Sequence, residues 1–179
     1  NVLCISITGH KKKHRQRLYP SFLARKAEHR AEHRAGKKAC VKRVFVINPV
    51  AGPKNPAEQL RPMIASAAGQ CSDEVEVLET THAGHAGEIT ERYASCGEPV
   101  AIYACGGDGT FNEVVQAAVG KPWVMAGCVP YGSGNDFVRN FGGREAFLDI
   151  PAQLKAEAHA VDTIRTEYGY SVAICAAGL

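Results

Sequence analysis

Val100-Ala-Ile-Tyr-Ala-Cys105 is apolar throughout and runs straight into Gly106-Gly-Asp-Gly-Thr110. An unbroken apolar strand is expected where both faces of a sheet are covered, the usual condition of a parallel sheet. A glycine turn behind such a strand and ahead of Phe111, Val114, Val115 and Ala118 imposes a strand–turn–helix order. The flanking sequence repeats that order. Val44–Ile47 is a short buried strand closed by Asn48-Pro49. Asn55-Pro56-Ala-Glu58 opens a helix, with Asn as N-cap and Pro at the first helical position. Leu60, Met63, Ile64 and Ala67 follow at helical spacing, and Gly69 closes it. Val75–Leu78 is a second strand and Ala86–Ser95 a second helix. Thr110-Phe-Asn-Glu113 has the spacing of a capping box that starts the third helix. Trp123–Val129 is the fourth strand, and Asp136 begins another helical stretch. Four alternations predict an α/β domain built on a mostly parallel sheet.

The two ends read differently from this middle. Residues 1–43 carry thirteen Lys/Arg against Glu28 and Glu32, while the rest of the chain has an excess of eight acids. The run Lys26-Ala-Glu-His-Arg-Ala-Glu-His-Arg34 could form a charged helix, but it has almost no apolar face after Leu23 to hold it to a core. Residues 1–41 are therefore expected to be a basic, disordered extension, with an arm for anionic membrane or nucleic acid as the alternative. After Pro151, residues 158–166 and 170–176 are strand-like and flank Glu167-Tyr-Gly169, which predicts a hairpin. The expected division is 42–150 as a nucleotide-binding α/β domain and 151–179 as the beginning of an incomplete antiparallel β-sandwich.

Composition limits the classes. Hydrophobic residues at 45% and charged residues at 22% fit a globular protein, and no apolar run approaches the roughly 20 residues that span a bilayer. The expected location is cytoplasmic. Seven cysteines are scattered, odd in number and without a C-x-x-C pair, which argues against a disulfide framework or a structural zinc site. They read as reduced, structural thiols.

The chemistry concentrates in the turns. Successive glycines at 106, 107 and 109 let the backbone approach a ligand closely, and a helix start behind them suits a phosphate. Asp108 inside that turn would repel a bare anion. It fits if the site also holds a cation, or if its carboxylate holds the loop in place. A plain strand-to-helix turn without a ligand is the competing reading. Neither a Walker P-loop nor G-x-G-x-x-G occurs at this turn. Pro130-Tyr-Gly-Ser-Gly-Asn-Asp136 repeats the logic after the next strand, and Asn48-Pro-Val-Ala-Gly52 and Thr80…Gly84 supply two further turns. In a parallel sheet all four belong at the carboxyl ends of strands, where open α/β folds bind ligands. His82 and His85 near this edge read as surface residues.

Together, Gly106-Gly-Asp-Gly-Thr-Phe-Asn-Glu113 and Pro130-Tyr-Gly-Ser-Gly-Asn-Asp-Phe137 resemble the diacylglycerol kinase catalytic-domain family, which includes bacterial lipid kinases and the sphingosine and ceramide kinases. Asn48-Pro49…Gly52 and Thr80-Thr-His-Ala-Gly-His-Ala86 match its first turn and its T-x-x-x-G-x-A segment. The resemblance covers residues 42–179 and none of the basic head. It implies a fold like that of NAD kinases and phosphofructokinases, which share the G-G-D-G turn. Asn112-Glu113 and G-S-G-N-D-F point to the lipid branch instead.

What the resemblance implies is a transfer of the γ-phosphate of ATP to diacylglycerol or a related lipid alcohol drawn from the membrane. ATP would be contacted by Asn48, Pro49, Val50, Ala51 and Gly52, by Thr80, by Gly106, Gly107, Asp108, Gly109, Thr110, Phe111 and Asn112, and by Ser133. Asp108 would organise ATP with Mg2+. Peripheral contact with the inner face of the membrane follows from a lipid acceptor, and no specific nucleic acid is expected. Family members carry a second β-sandwich domain with a Glu general base and magnesium-binding acids, which would fall beyond Leu179. Ala173 also stands where the family often has Asn. A nucleotide-binding fragment without catalysis, and an NAD kinase-like small-molecule kinase, are the alternatives.

Overall fold

A computed structural model describes residues 4–7, 41–167 and 169–172. Its elements are β1 (Cys4–Ile7), β2 (Lys42–Ile47), α1 (Ala57–Ala68), β3 (Val75–Glu79), α2 (His85–Ala94), β4 (Val100–Gly106), α3 (Asp108–Ala118) and β5 (Val124–Pro130). Three short helices follow, α4 (Asp136–Arg139), α5 (Arg144–Leu148) and α6 (Ile150–Lys155), and then strands β6 (Ala158–Val161), β7 (Ile164–Thr166) and β8 (Gly169–Ser171). One six-stranded sheet has the order β3-β2-β4-β5-β1-β6, and β7 and β8 form a separate antiparallel pair. Strands β3, β2, β4 and β5 are parallel neighbours, as the four alternations predict.

Side-chain alternation along the central strands fills two layers. Val44 and Val46 with Ile102 and Ala104 face the layer that holds Ala86 and Ile89 of α2 and Phe111, Val114 and Val115 of α3. Phe45 and Ile47 with Ala101, Tyr103 and Cys105 face Leu60 and Ile64 of α1 and Ile150 and Leu154 of α6. Every residue of β4 is buried, which is why its sequence is apolar without interruption. Phe45 and Tyr103 stack with centroids 4.5 Å apart, and Gly127, opposite Tyr103 in the register, has no Cβ to collide with that ring.

This arrangement creates a switch point. Strand β2 leaves for α1 on one face of the sheet, whereas its neighbour β4 leaves for α3 on the other. The chain therefore diverges between the carboxyl ends of β2 and β4, the position at which open α/β sheets bind ligands.

Several expectations are revised. Cys4–Ile7 falls within the segment expected to be a disordered extension, yet it is a strand antiparallel to β5 and parallel to β6. Its apolar character, followed by the basic run rather than preceded by it, is that of a strand filling a sheet position. The remainder of residues 1–40, and 173–179 with the Ala173 position, lie outside the described residues. The run 158–166 is two strands and not one: it breaks at Asp162-Thr163, so that β6 joins the large sheet and β7 pairs with β8. Helix α6, also beyond the division expected at residue 150, packs its Ile150 and Leu154 into the α/β core. Helix α1 is capped as its sequence suggests, with Asn55 Oδ1 accepting from Ala57 N–H at 2.9 Å. Among the described residues Cys71, Cys96, Cys105 and Cys128 are free thiols. No described helix is long and apolar enough to cross a membrane.

Candidate functional site

At the switch point the turn after β2 locks against the turn after β4. Asn48 N–H donates to Cys105 C=O at 2.9 Å, and the Asn48 Nδ2 amide donates to Thr110 Oγ1 at 3.2 Å. Asn48 Oδ1 also accepts from Val50 N–H, which folds the Asn48–Gly52 turn. Gly106 sits inside this contact: a Cβ there would stand 2.5 Å from Thr110 Oγ1 and 3.3 Å from the Asn48 Cβ. No residue but glycine fits that position without displacing both side chains.

The turn after β5 joins the same assembly. Gly106 C=O accepts from both Tyr131 and Gly132 N–H, at 2.8 and 3.2 Å. A Cβ at Gly107 would lie 3.2 Å from the Gly132 Cα, so the two glycine turns meet backbone to backbone. Gly52 reaches the same loop from the other side; it has φ of +74°, and its own Cβ would lie 2.7 Å from Tyr131 C=O. Asn135 holds the far end of the loop in left-handed geometry, φ 55°, a region that Asn tolerates better than most residues. Its buried amide accepts from Gly132 N–H at 3.2 Å and donates to Gly132 C=O at 2.6 Å.

Asp108 spans the two glycine loops. Its Oδ1 accepts from Asp136 N–H at 2.9 Å, and the absent Cβ of Gly134 would fall 2.7 Å from Oδ2. Of the two roles open to this carboxylate in sequence, the structure displays the loop-holding one, and it leaves Oδ2 without a hydrogen bond among the described residues. Cys128, two residues before the end of β5, has its thiol pushed up to about 12 by burial, with the Asp108 charge adding to the effect.

Two helices begin near this edge, and they differ. Helix α2 is closed: Glu113 of α3 accepts from Gly84 N–H at 2.8 Å and Ala86 N–H at 3.1 Å, one through each carboxylate oxygen. The capping box expected at Thr110-x-x-Glu113 is therefore not formed. Helix α3 starts two residues earlier, at Asp108, and Glu113 reaches across to its neighbour instead. Helix α3 is open: the N–H groups of Gly107, Asp108, Gly109 and Thr110 have no acceptor among the described residues. Those donors and the helix dipole make its start the place suited to an anion.

The residues singled out in sequence are distributed as follows. Asn48, Gly52, Gly106, Gly107, Asp108, Thr110 and the Ser133 loop are joined by the contacts above, and Ala51 N–H donates to Asn48 C=O at 3.1 Å within the first turn. Thr80 sits beside them, its N–H donating to Ile47 C=O at 2.8 Å. Val50 projects to solvent at 84% exposure. Phe111 does not face the rim; it is buried against Phe137, 4.6 Å between centroids. Asn112 is turned along α3, with its Oδ1 accepting from Gln116 Nε2 at 3.2 Å. His82 and His85 stack on each other at 4.7 Å beside Glu88; His82 is exposed and His85 half-buried.

A cleft of about 480 Å³ opens between the Gly52-Pro53 turn and the 131–135 loop, with Val138, Arg139 and Arg144 completing its wall. Sequence reasoning passed over both arginines, which follow the last motif by three and eight residues. The signal available was their position immediately after a glycine-rich turn at a strand end. No cluster of three or more metal-ligating side chains occurs among the described residues.

Residues 42–166 match the diacylglycerol kinase catalytic domain. No curated protein matches the chain by sequence. Two solved structures from Bacillus anthracis str. Sterne, described as a diacylglycerol kinase, are 25% identical with a TM-score of 0.49, covering 64% of this chain and 41% of their own. A third from the same organism gives the same identity and score and covers 40% of its own chain. The chain thus spans about two fifths of the length of these solved proteins.

Proposed function

Because the chain belongs to the diacylglycerol kinase catalytic-domain family, we propose that it holds ATP with magnesium along the carboxyl edge of the sheet and serves transfer of the γ-phosphate to diacylglycerol or a related lipid alcohol. The observation that carries this reading is the open start of α3 at the switch point, enclosed by three interlocked turns. Phosphate oxygens would accept from the N–H groups of Gly107 to Thr110, and the missing side chains at Gly106, Gly107, Gly132 and Gly134 let the loops close around that point. Asn48 and Thr110 hold the first turn to the second, and Thr80 and Ser133 flank them. Phe111 and Asn112 enter this reading only as part of the first turns of α3, since Phe111 N–H already donates to Gly107 C=O at 3.1 Å.

Magnesium, when bound, would neutralise charge on the phosphate oxygens. Asp108 Oδ2 fits such an ion, since magnesium at phosphate sites needs only one or two carboxylates beside phosphate and water oxygens. Phosphoryl transfer depends chiefly on positioning and charge neutralisation, which these residues supply. The proton of the acceptor hydroxyl goes to a base that this reading places outside the described residues. We take the large sheet with its helices, residues 42–161, as the unit that grips nucleotide and the β7–β8 hairpin as the opening of a second, antiparallel unit. A lipid acceptor also implies peripheral contact with the inner face of the membrane, from the cytoplasm.

Purified protein incubated with labelled ATP and dioleoylglycerol should form labelled phosphatidic acid only when magnesium is present. Labelled NADP formed when NAD is supplied beside the lipid, with no labelled phosphatidic acid, would contradict the acceptor class. ATP binding without any product would reduce the chain to a nucleotide-binding one. Asp108→Asn keeps an oxygen for Asp136 N–H while removing the negative charge. It should retain the fold and lose most of the magnesium-dependent binding of ATP.

A further inference from the structure

The cleft beside the glycine turns has a cationic wall. Arg139 and Arg144 line it, and no acid does among the described residues. Arg144 is fixed at its inner end: Nε donates to Pro130 C=O at 3.2 Å, and the guanidinium lies 6.0 Å from the Tyr131 ring centroid. Its two terminal nitrogens have no acceptor among the described residues. Arg139 bonds through Nη1 to Asp136 at 2.9 Å, an exposed i,i+3 pair of the kind that is weak and readily exchanged. Between the arginines and the glycine turn, Ser133 and Gly134 offer N–H groups that also lack an acceptor among the described residues.

The position of the cleft matters as much as its charge. Gly132 and Gly134 belong to its wall, and Gly132 touches Gly107 at the open start of α3. A phosphate seated on α3 is therefore next to the mouth of the cleft, and a chain of phosphates can continue past Ser133 towards the guanidinium groups. A planar guanidinium presents paired donors that match phosphate oxygens.

We propose that this cleft is a polyphosphate subsite, in which Arg144 and Arg139 grip the outer phosphates of a nucleoside triphosphate whose inner phosphate rests on α3. The proposal rests on the nucleotide reading above and deepens it. It makes the chain sensitive to the number of phosphates and not only to the presence of one. A phospholipid headgroup presents the same chemistry from another source, so the test includes it.

The purified chain and the variants Arg144→Gln, Arg139→Gln and the double variant are titrated calorimetrically, with magnesium, against ATP, AMP and inorganic triphosphate. Binding to phosphatidic acid vesicles is measured alongside. Both side chains are exposed, so thermal melts should not change. The double variant should bind ATP and triphosphate about tenfold or more weakly, the scale of a lost charge-assisted contact, and bind AMP as the parent does. Equal affinities of parent and double variant for ATP and triphosphate would overturn the subsite while leaving nucleotide binding intact. Loss of vesicle binding with ATP affinity unchanged would overturn it in favour of a lipid headgroup. A parent that binds neither ATP nor triphosphate would overturn this inference and the nucleotide reading together.

Discussion

Single residues at the rim owe their identity to backbone proximity. Gly107 and Gly132 are glycines because two loops meet there at their Cα atoms, and Gly106 because Thr110 and Asn48 occupy the space of a side chain. That much was legible in sequence as a glycine doublet behind a buried strand. The thiols behind these turns behave differently. Burial pushes Cys105 well above its ordinary value and Cys128 to about 12, so both stay protonated and unreactive near neutral pH. Cys96 is exposed. Native protein treated with iodoacetamide at pH 8 and mapped by mass spectrometry should be modified at Cys96, with Cys105 and Cys128 protected until denaturant is added. Rapid native labelling of either buried thiol would show that the β4–β5 core opens. What sequence could not show was the direction of Glu113: its spacing from Thr110 fits a capping box, but the first turn of α3 begins two residues earlier and its carboxylate is taken by the neighbouring helix.

At the scale of elements, α2 and α3 form a pair joined by that carboxylate and by close approach at Gly87, where a Cβ would lie 3.3 Å from Glu113 C=O. Glu113→Ala removes the only acceptor that Gly84 and Ala86 N–H groups have among the described residues. The expected cost is about 0.5–2 kcal/mol, the range for loss of a helix N-cap. Chemical denaturation should show it, and hydrogen exchange at Gly84 and Ala86 should accelerate ahead of exchange at the β4 amides. Unchanged exchange at those two amides would mean that solvent serves them equally well. The helices and central strands were readable because their apolar residues recur at clean periods, as Leu60, Ile64 and Ala67 do. The break at Asp162-Thr163 was not, because β6 and β7 are short, mostly exposed strands with no hydrophobic alternation to separate them.

Over the whole molecule, the sheet is closed on one side by a strand far away in sequence. Residues Cys4–Ile7 lie between β5 and β6, and a local reading of the basic head could not detect pairings as remote as Ser6 with Met125 and Cys4 with Ala158. Deletion of residues 1–8 leaves β6 without a partner strand and bares one edge of β5, and should lower the melting midpoint by about 5 °C or more, equivalent to roughly 2 kcal/mol for a chain of this size. An unchanged midpoint would show that β1 contributes nothing to the sheet. The same sheet sets the switch point between β2 and β4, from which the proposed nucleotide site follows. Calorimetric titration of the intact chain with ATP and magnesium tests that site most directly. The account predicts saturable, one-to-one binding that fails when magnesium is chelated. Absence of saturation at millimolar ATP would contradict it.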